Sequence, residues 1–496
     1  MPGLLLAQPY PDASTCIVVG DFASAGPPDL RRYRGVLWCT DAGRPQPLAT
    51  GSAVQLLPVG PTPPVGFTPA LEAFIRRDPR RLPSVYVSDT VLSRHAGAYH
   101  SVITEIHAAL ERHHRARTTR QKDGFTWQKY LLQNLAAYAG RRVPPGWAGA
   151  LRGVPAFVCG AGPSLDVSAG QLAAVAGRGV VFAADSALRA LARRGVPADF
   201  AVSIDVAKVP DKCLPVEMPP ARVVLAPTSP PAWADALPLD RQYFLSSTQI
   251  TIDWLASLGL ARTAIPITEN CGSTALELAR HLGCAPIYLF GLDLATDAAN
   301  PSRRHHAEAD ATLYANSGYN PAQSQPSVPG NYAATVPTFA YGDWQTLDAR
   351  LASWPSGLVV NVNDRGARLR NTTLVHPARF SLGAGASNKD AALASLAPAQ
   401  PPGEDVRHRA LAGVRAAGRA GVNRLPALQA ALLDGGPDAL AGAWRDMFTQ
   451  SDIGRVLGAF SLKIMPHLVP PIEGGRDRWR GFLDEFAELV ELAANA

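Results

Sequence analysis

The chain is short of the residues that staple or anchor proteins. Its six cysteines (Cys16, Cys39, Cys159, Cys213, Cys271, Cys284) are scattered, and none forms a Cys-x-x-Cys pair. That spacing argues against a disulfide framework or a zinc knuckle and fits a reducing compartment. No apolar run reaches the ~18 residues that a membrane helix needs. Leu4-Leu5-Leu6-Ala7 follows no basic stretch, so no secretory signal is expected and the chain reads as soluble and cytoplasmic. Only 18% of residues are charged, and no basic run with interleaved aromatics stands out, so a nucleic-acid partner is not expected. The net charge of +6 is spread along the chain, which implies mild affinity for anionic ligands and nothing more specific.

What is present is core-forming residue and punctuation. The 496 residues are 47% hydrophobic, with 44 prolines and 43 glycines, so several packed domains joined by tight turns are expected. Residues 1–120 read as a small N-terminal α/β domain with a helical connection. Its strands fall at 15–20, 35–40, 53–59 and 84–87, the first ending in Gly20-Asp21 without a glycine-rich loop, as suits a docking or scaffolding domain. His95, His100, His107, His113 and His114 follow in a helical pattern over 92–117. No carboxylate or cysteine completes a metal set there, so no metal site is expected.

Residues 121–385 alternate helix and strand in the manner of a doubly wound, mostly parallel, Rossmann-like α/β sheet. The informative turn is Phe157-Val158-Cys159-Gly160-Ala161-Gly162-Pro163-Ser164-Leu165-Asp166. It reads as a buried strand, a glycine turn and a helix start, where free N–H groups attract anions. Leu165 stands where the dinucleotide fingerprint needs a small residue, so a nicotinamide site is not expected. Further strands are expected at 180–184, 199–205, 222–226, 242–245, 264–267, 286–290 and 357–361. Several end in polar residues: Asp185-Ser186, Asp205, Ser246-Ser247 and Asp293. Ligands of open parallel sheets bind beyond those strand ends, though each acid taken singly can equally cap a helix or turn.

A second turn, Asn270-Cys271-Gly272-Ser273-Thr274, precedes a helix expected over 274–282. Thr274 and Glu277 have capping-box spacing, and Gly283 is placed to end the helix. After Asp293 a long polar loop, about 295–340, carries Arg303, Arg304, His305, His306, Tyr314, Tyr319, Tyr332 and Tyr341. Loops of that length are lids or disordered. Its arginines suit a phosphate or carboxylate, or form a solvated basic patch. Residues 386–406 read as a flexible linker, and 407–496 as a helical C-terminal domain of three or four helices.

The central residues resemble the motility accessory factor (Maf) family, which shares its core with MptE-like pterin diphosphokinases. The resemblance rests on 157–166, Ala183-Ala184-Asp185-Ser186-Ala187-Leu188, Pro197 to Asp205, Gly272 to Leu276, Leu282 to Ala295, His306-Ala307 and Asn361 to Ala367, in order over roughly 120–375. That core is similar in turn to a bacterial sialyltransferase family. The resemblance implies a glycosyltransferase that moves a sialic-acid-like nine-carbon sugar from a CMP-activated donor to Ser or Thr of flagellin. By it, Gly160, Gly162, Pro163 and Ser164 would lie at the donor phosphate. Asp185, Ser186 and Asp205 would contact the nucleoside or sugar, and Gly272, Ser273 and Thr274 would close the pocket. On the chemistry of the loop rather than the resemblance, Arg303 and Arg304 would contact phosphate or carboxylate.

One departure concerns the base. The sialyltransferases place a histidine before the helix that here begins near Asp343, and this chain has Phe339-Ala340-Tyr341-Gly342 instead. His306 or Asp293 is left to take that role. Two other readings stand beside this one. A diphosphokinase would use ATP and Mg²⁺ held by Asp185, Asp205 and Asp293. A non-catalytic nucleotide-binding scaffold would keep the core without the base.

Overall fold

The computed structural model describes residues 4–5, 13–20, 30–40, 54–59, 66–78, 80–88, 91, 96–297, 300, 303–309, 326–383, 389–399 and 401–496. The loop tyrosines Tyr314 and Tyr319, and His95, lie outside the described residues. The chain divides into two compact units, one of residues 1–122 and 462–474, the other of 123–461 and 475–496. The C-terminal helices therefore do not stand as a domain of their own.

The first unit is a five-stranded sheet of β1 (Leu4–Leu5), β2 (Thr15–Val19), β3 (Gly35–Thr40), β4 (Val54–Pro58) and β5 (Ser84–Val87), ordered β1-β5-β2-β3-β4. Only β1 runs antiparallel to its neighbour. Ile17, Val19, Leu37 and Cys39 face helix Phe67–Ile75 and the start of helix Ala96–Gln133, while Cys16, Val18, Val36 and Trp38 pack with Leu30 and Tyr33 on the other side. Burial on both faces explains why these strands read as unbroken apolar runs. Residues 462–474 belong to this unit through Arg80, whose guanidinium donates to the carbonyls of Pro470 and Pro471. Gln121 likewise donates to the Lys463 carbonyl.

The second unit is built on eight parallel strands: β6 (Ala156–Cys159), β7 (Val180–Ala184), β8 (Phe200–Ser203), β9 (Arg222–Leu225), β10 (Gln242–Phe244), β11 (Ile287–Phe290), β14 (Val359–Val362) and β15 (Thr372–Val375). A hairpin of β12 (Ser327–Pro329) and β13 (Thr335–Pro337) stands apart. The order β10-β9-β8-β7-β6-β11-β14-β15 makes this a doubly wound sheet. Alternate residues of each strand serve opposite layers. Val158, Phe182, Val202 and Leu289 pack in one core with Ala275, Leu276, Leu278 and Ala279 of helix Cys271–His281 and with Leu347 and Leu351 of helix Tyr341–Leu351. On the other layer Phe157 meets Phe290, and both rings lie near Phe380 or Tyr288. Helices Glu404–Gln450 and Arg476–Asn495 pack along each other through Trp444, Phe448, Trp479 and Phe486.

Several expectations are corrected. Residues 264–267 form no strand: Pro266 has no N–H to give a ladder, and Ile265 is buried as a side-chain contribution to the core. The helix that follows the glycine turn is Leu165–Ala173. The helical pattern read over 92–117 belongs, from Ala96 on, to one long helix, Ala96–Gln133, followed by Leu135–Gly140. Within the expected linker 386–406, helix Lys389–Ala394 buries Leu393 against the sheet's core, and Lys389 pairs with Asp199 at 2.8 Å. No helix among the described residues is long and apolar enough to cross a membrane.

Candidate functional site

Strand order reverses between β6 and β11, so the chain leaves the two strands toward opposite sides, the arrangement beyond whose carboxyl ends doubly wound sheets bind ligands. The glycine turn sits there. Gly160 N–H donates to the Phe290 carbonyl (2.8 Å) and Gly162 N–H to the Gly291 carbonyl (2.7 Å). The backbones approach so closely that a Cβ on Gly160 would lie 2.5 Å from the Gly291 oxygen, and one on Gly162 would lie 2.6 Å from the Asp293 carboxyl. The glycines are thus required by the chain itself.

Asp293 occupies the cradle that phosphate was expected to take. Its carboxylate accepts from the Ser164 amide (2.8 Å), the Ser164 hydroxyl and the Asn363 amide (2.8 Å). Burial pushes this carboxyl above the usual range, with the bonds from Ser164 opposing. The anion at the helix start is internal. Gly160, Gly162, Pro163 and Ser164 are therefore brought together at the switch point, but Ser164's donors are spent on Asp293. Asp293 in turn is a structural acceptor, poorly placed to act as a base.

The ends of β7 and β8 form the neighbouring group. Asp185 is buried; one oxygen accepts from the Ser186 amide (2.6 Å) and hydroxyl (2.8 Å). The other accepts from the Ser203 hydroxyl (2.8 Å) and the Cys271 thiol (3.4 Å). Burial raises the Asp185 carboxyl, and the strongest opposing charge is that of Lys208. Asp205 is exposed and accepts from the Ala207 amide at 2.9 Å. Lys208, which carries no motif in the sequence, is nearly buried, with its carbonyl held by the Trp233 indole N–H at 2.7 Å.

At the second turn the helix spans Cys271–His281, and its cap is Asn270, whose side chain accepts from the Ser273 amide at 2.8 Å. The expected capping box is not formed. The Thr274 hydroxyl serves Thr268 instead, and Glu277 faces Arg350 at 3.1 Å. Gly283 does end the helix, at φ 82°. A Cβ on Gly272 would meet the Leu292 Cδ1 methyl at 2.7 Å, and the buried Ser273 hydroxyl has no hydrogen-bond partner among the described residues.

Residues 303–309 return across both groups. The His306 amide donates to the Ala161 carbonyl (3.0 Å), and its Nε2 lies 2.8 Å from the Ser186 carbonyl. Nδ1 accepts from the Glu308 amide (3.2 Å), which fixes a neutral ring with the proton on Nε2. Burial also lowers its pKa. With both nitrogens engaged, His306 clamps the loop and is not available as a base in this arrangement. Arg303 pairs with Asp166 and sits 3.7 Å from Asp297, while Arg365 binds Asp297 and Asp364, each at 2.6 Å. Arg303 is therefore committed to carboxylates of the chain. Arg304 lies over the Phe339 ring at 5.1 Å, and His305 meets the same ring edge-on at 6.0 Å. Burial, followed by Arg304 and Lys208, pushes the His305 imidazole down to about 3.

This geometry is that of a Rossmann-like α/β protein with a polar site at its switch point. Residues 130–298 match the MptE-like family, described as 6-hydroxymethylpterin diphosphokinase MptE-like, so the chain carries an MptE-like region. Among solved structures, the chain is similar to the Maf glycosyltransferase from Magnetospirillum magneticum AMB-1 at 17% identity and a TM-score of 0.52. That likeness covers 97% of this chain and 78% of the other. At that identity it is a likeness of fold. No curated protein matches the chain.

Proposed function

We propose that the chain is a glycosyltransferase that moves a sialic-acid-like nonulosonic sugar from a CMP-activated donor to Ser or Thr of flagellin in the cytoplasm. The observation that carries this reading is the fold shared with a Maf glycosyltransferase across 97% of the chain, well beyond the MptE-like region. The donor would lie beyond β6, β7 and β8, against Asp185, Ser186, Asp205 and the helix start at Gly272, Ser273 and Thr274. In this reading the shell at 160–164 shapes the floor of the pocket, and the donor's anionic group lies to one side of it.

The second reading, a diphosphokinase acting on a pterin alcohol with ATP and Mg²⁺, is favoured by the description of the matched family. Against it, the carboxylates of Asp185 and Asp293 are filled by amide, hydroxyl and thiol donors, which leaves Asp205 as the exposed acid of the three. Calorimetry with CMP and with ATP, each with and without Mg²⁺, separates the readings. Metal-independent CMP binding, with release of CMP from a CMP-sugar when flagellin is added, supports the transferase. Mg²⁺-dependent ATP binding moves the assignment to the diphosphokinase. Binding without turnover identifies a scaffold.

A further inference from the structure

The two edges of the eight-stranded sheet are treated differently. At β10 the edge is closed by residues 141–143: the Val143 amide donates to the Phe244 carbonyl (2.9 Å), and the Phe244 amide to the Arg141 carbonyl (2.8 Å). At β15 no backbone takes that position among the described residues. The Asn363 amide donates to the Val375 carbonyl at 3.0 Å, so Val375 and Thr373 turn their backbone groups toward β14. Those of Thr372 and Leu374 then point outward, and the Leu374 side chain is 37% exposed. Thr372–Val375 holds no charge or proline that would repel an added strand.

An aromatic pair stands at the carboxyl end of this edge. Tyr332 is 54% exposed, yet its hydroxyl donates to the Asn363 carbonyl at 3.0 Å. The preceding Asn331 fixes the turn, donating to the Arg365 carbonyl from its side chain (2.6 Å) and to the Gly366 carbonyl from its amide (3.0 Å). The Tyr332 ring meets the exposed His376, the residue after β15, edge-on at 5.9 Å. With its polar end engaged, Tyr332 offers solvent an apolar ring face. Asn363 also donates to Asp293, which holds Ser164, so hydrogen bonds run from the exposed ring through two residues to the glycine turn.

We propose that the open edge of β15, with the Tyr332 and His376 rings at its end, is the docking surface for an extended segment of the acceptor polypeptide. The proposal rests on the transferase reading above. Outward N–H and C=O groups recognise another backbone in extended form, and the ring beside them takes an apolar side chain. A sugar or nucleotide has no use for such a row. Two facing copies of a four-residue strand would bury too little to hold a dimer, whereas a ladder this short suits a substrate that must leave. β15 stands three strand spacings, roughly 14 Å, from β6, a span of about four extended residues. The docked segment therefore lies beside the modified Ser or Thr in sequence and does not include it.

The test is steady-state release of CMP from a CMP-sugar by the whole protein with flagellin varied, alongside calorimetry with CMP. Leu374→Pro removes an outward N–H that the β14 ladder does not use, and Tyr332→Ala removes the ring. Each is expected to raise KM for flagellin about tenfold while kcat and CMP affinity stay within about twofold. Tyr332→Phe keeps the ring and should keep the wild-type KM. Thermal melts establish that each variant is folded, and Leu374→Lys, which blocks the edge by charge, replaces the proline variant if that one unfolds. Wild-type KM in either the folded edge variant or folded Tyr332→Ala overturns the surface and leaves the transferase reading standing. So does a fall in kcat without a change in KM, which places the effect at Asp293 through Asn363. So does sedimentation of the wild type as a dimer that the edge variant dissociates, because β15 then pairs with its own copy. If wild-type protein releases no CMP from a CMP-sugar with flagellin present, the transferase reading fails, and this inference fails with it.

Discussion

At residues 160–164 the amide that opens a helix is satisfied by a carboxylate from another strand. At 270–274 the Ser273 amide is satisfied by the neutral side chain of Asn270, three residues away. Both turns are glycine-led, and both stand on the same sheet. The first is a long-range lock: a buried carboxyl from the end of β11 fills the anion position and draws in Asn363 from the end of β14. The second is a local cap, in which the positive end of the helix meets only a dipole. A glycine turn at a helix start therefore signals an anion position, but only the tertiary structure says whose anion fills it.

The sharpest way to break this contrast is to put a methyl group on each turn. Gly160→Ala and Gly162→Ala drive a Cβ into the Gly291 carbonyl or the Asp293 carboxyl. Each should cost about 3 kcal/mol or more, read as a lower midpoint of chemical denaturation or as insoluble protein. Gly272→Ala meets only the movable Leu292 methyl and should cost about 1 kcal/mol. Equal losses at the two turns would end the distinction.

Next in size is Asp293→Ala, which leaves the Ser164 amide, the Ser164 hydroxyl and the Asn363 amide without their acceptor. A loss of about 3 kcal/mol is expected from buried donors left unmet. The same carboxyl gives a pH signature. Its folded pKa is raised by burial, so its stabilising contribution is full below the unfolded carboxylate value and declines as pH rises through the folded one. Stability of wild type minus that of Asp293→Asn should therefore fall from the carboxylate range toward neutrality. A flat difference would show that folding leaves the Asp293 pKa unchanged, and a rising one that the folded protein holds it charged.

The local cap should matter less. Asn270→Ala is expected to cost about 1 kcal/mol, and Asn270→Asp about as much, because it replaces the amide that donates to the Asp343 carboxylate (3.2 Å) with a like charge, both by denaturant titration. Smallest of all is Arg303→Gln. Its pair with Asp166 is partly exposed, at 34% and 23%, and should be worth under about 1 kcal/mol.

The sheet was legible because parallel strands buried on both faces show as apolar runs, as at Val180–Ala184 and Ile287–Phe290. β15 was not, since Thr372–Val375 is a partly exposed edge strand with no such run. The polar strand ends were visible, and the structure does gather Asp185, Ser186, Ser164 and Asp293 into one neighbourhood. Their roles were not visible. Capping-box spacing pointed to Thr274 and Glu277 while Asn270 does the capping, because a spacing rule cannot see Thr268 or Arg350 competing for those side chains. Lys208 gave no signal: a lone lysine acquires meaning only from the burial imposed by the elements around it.

Ser164 and Asp293 are 129 residues apart in the chain. At ribosomal rates of about 5–20 residues per second, Ser164 is made roughly 6 to 26 s before its acceptor. β6, in the middle of the finished sheet, waits equally long for β11 on one of its two sides. During that interval the nascent chain exposes an open central edge beside a helix start with no anion. The step that pairs β11 with β6 also fills the turn, so the docking of β11 and the closing of the glycine turn are one event in time, with β14 and β15 still to be added.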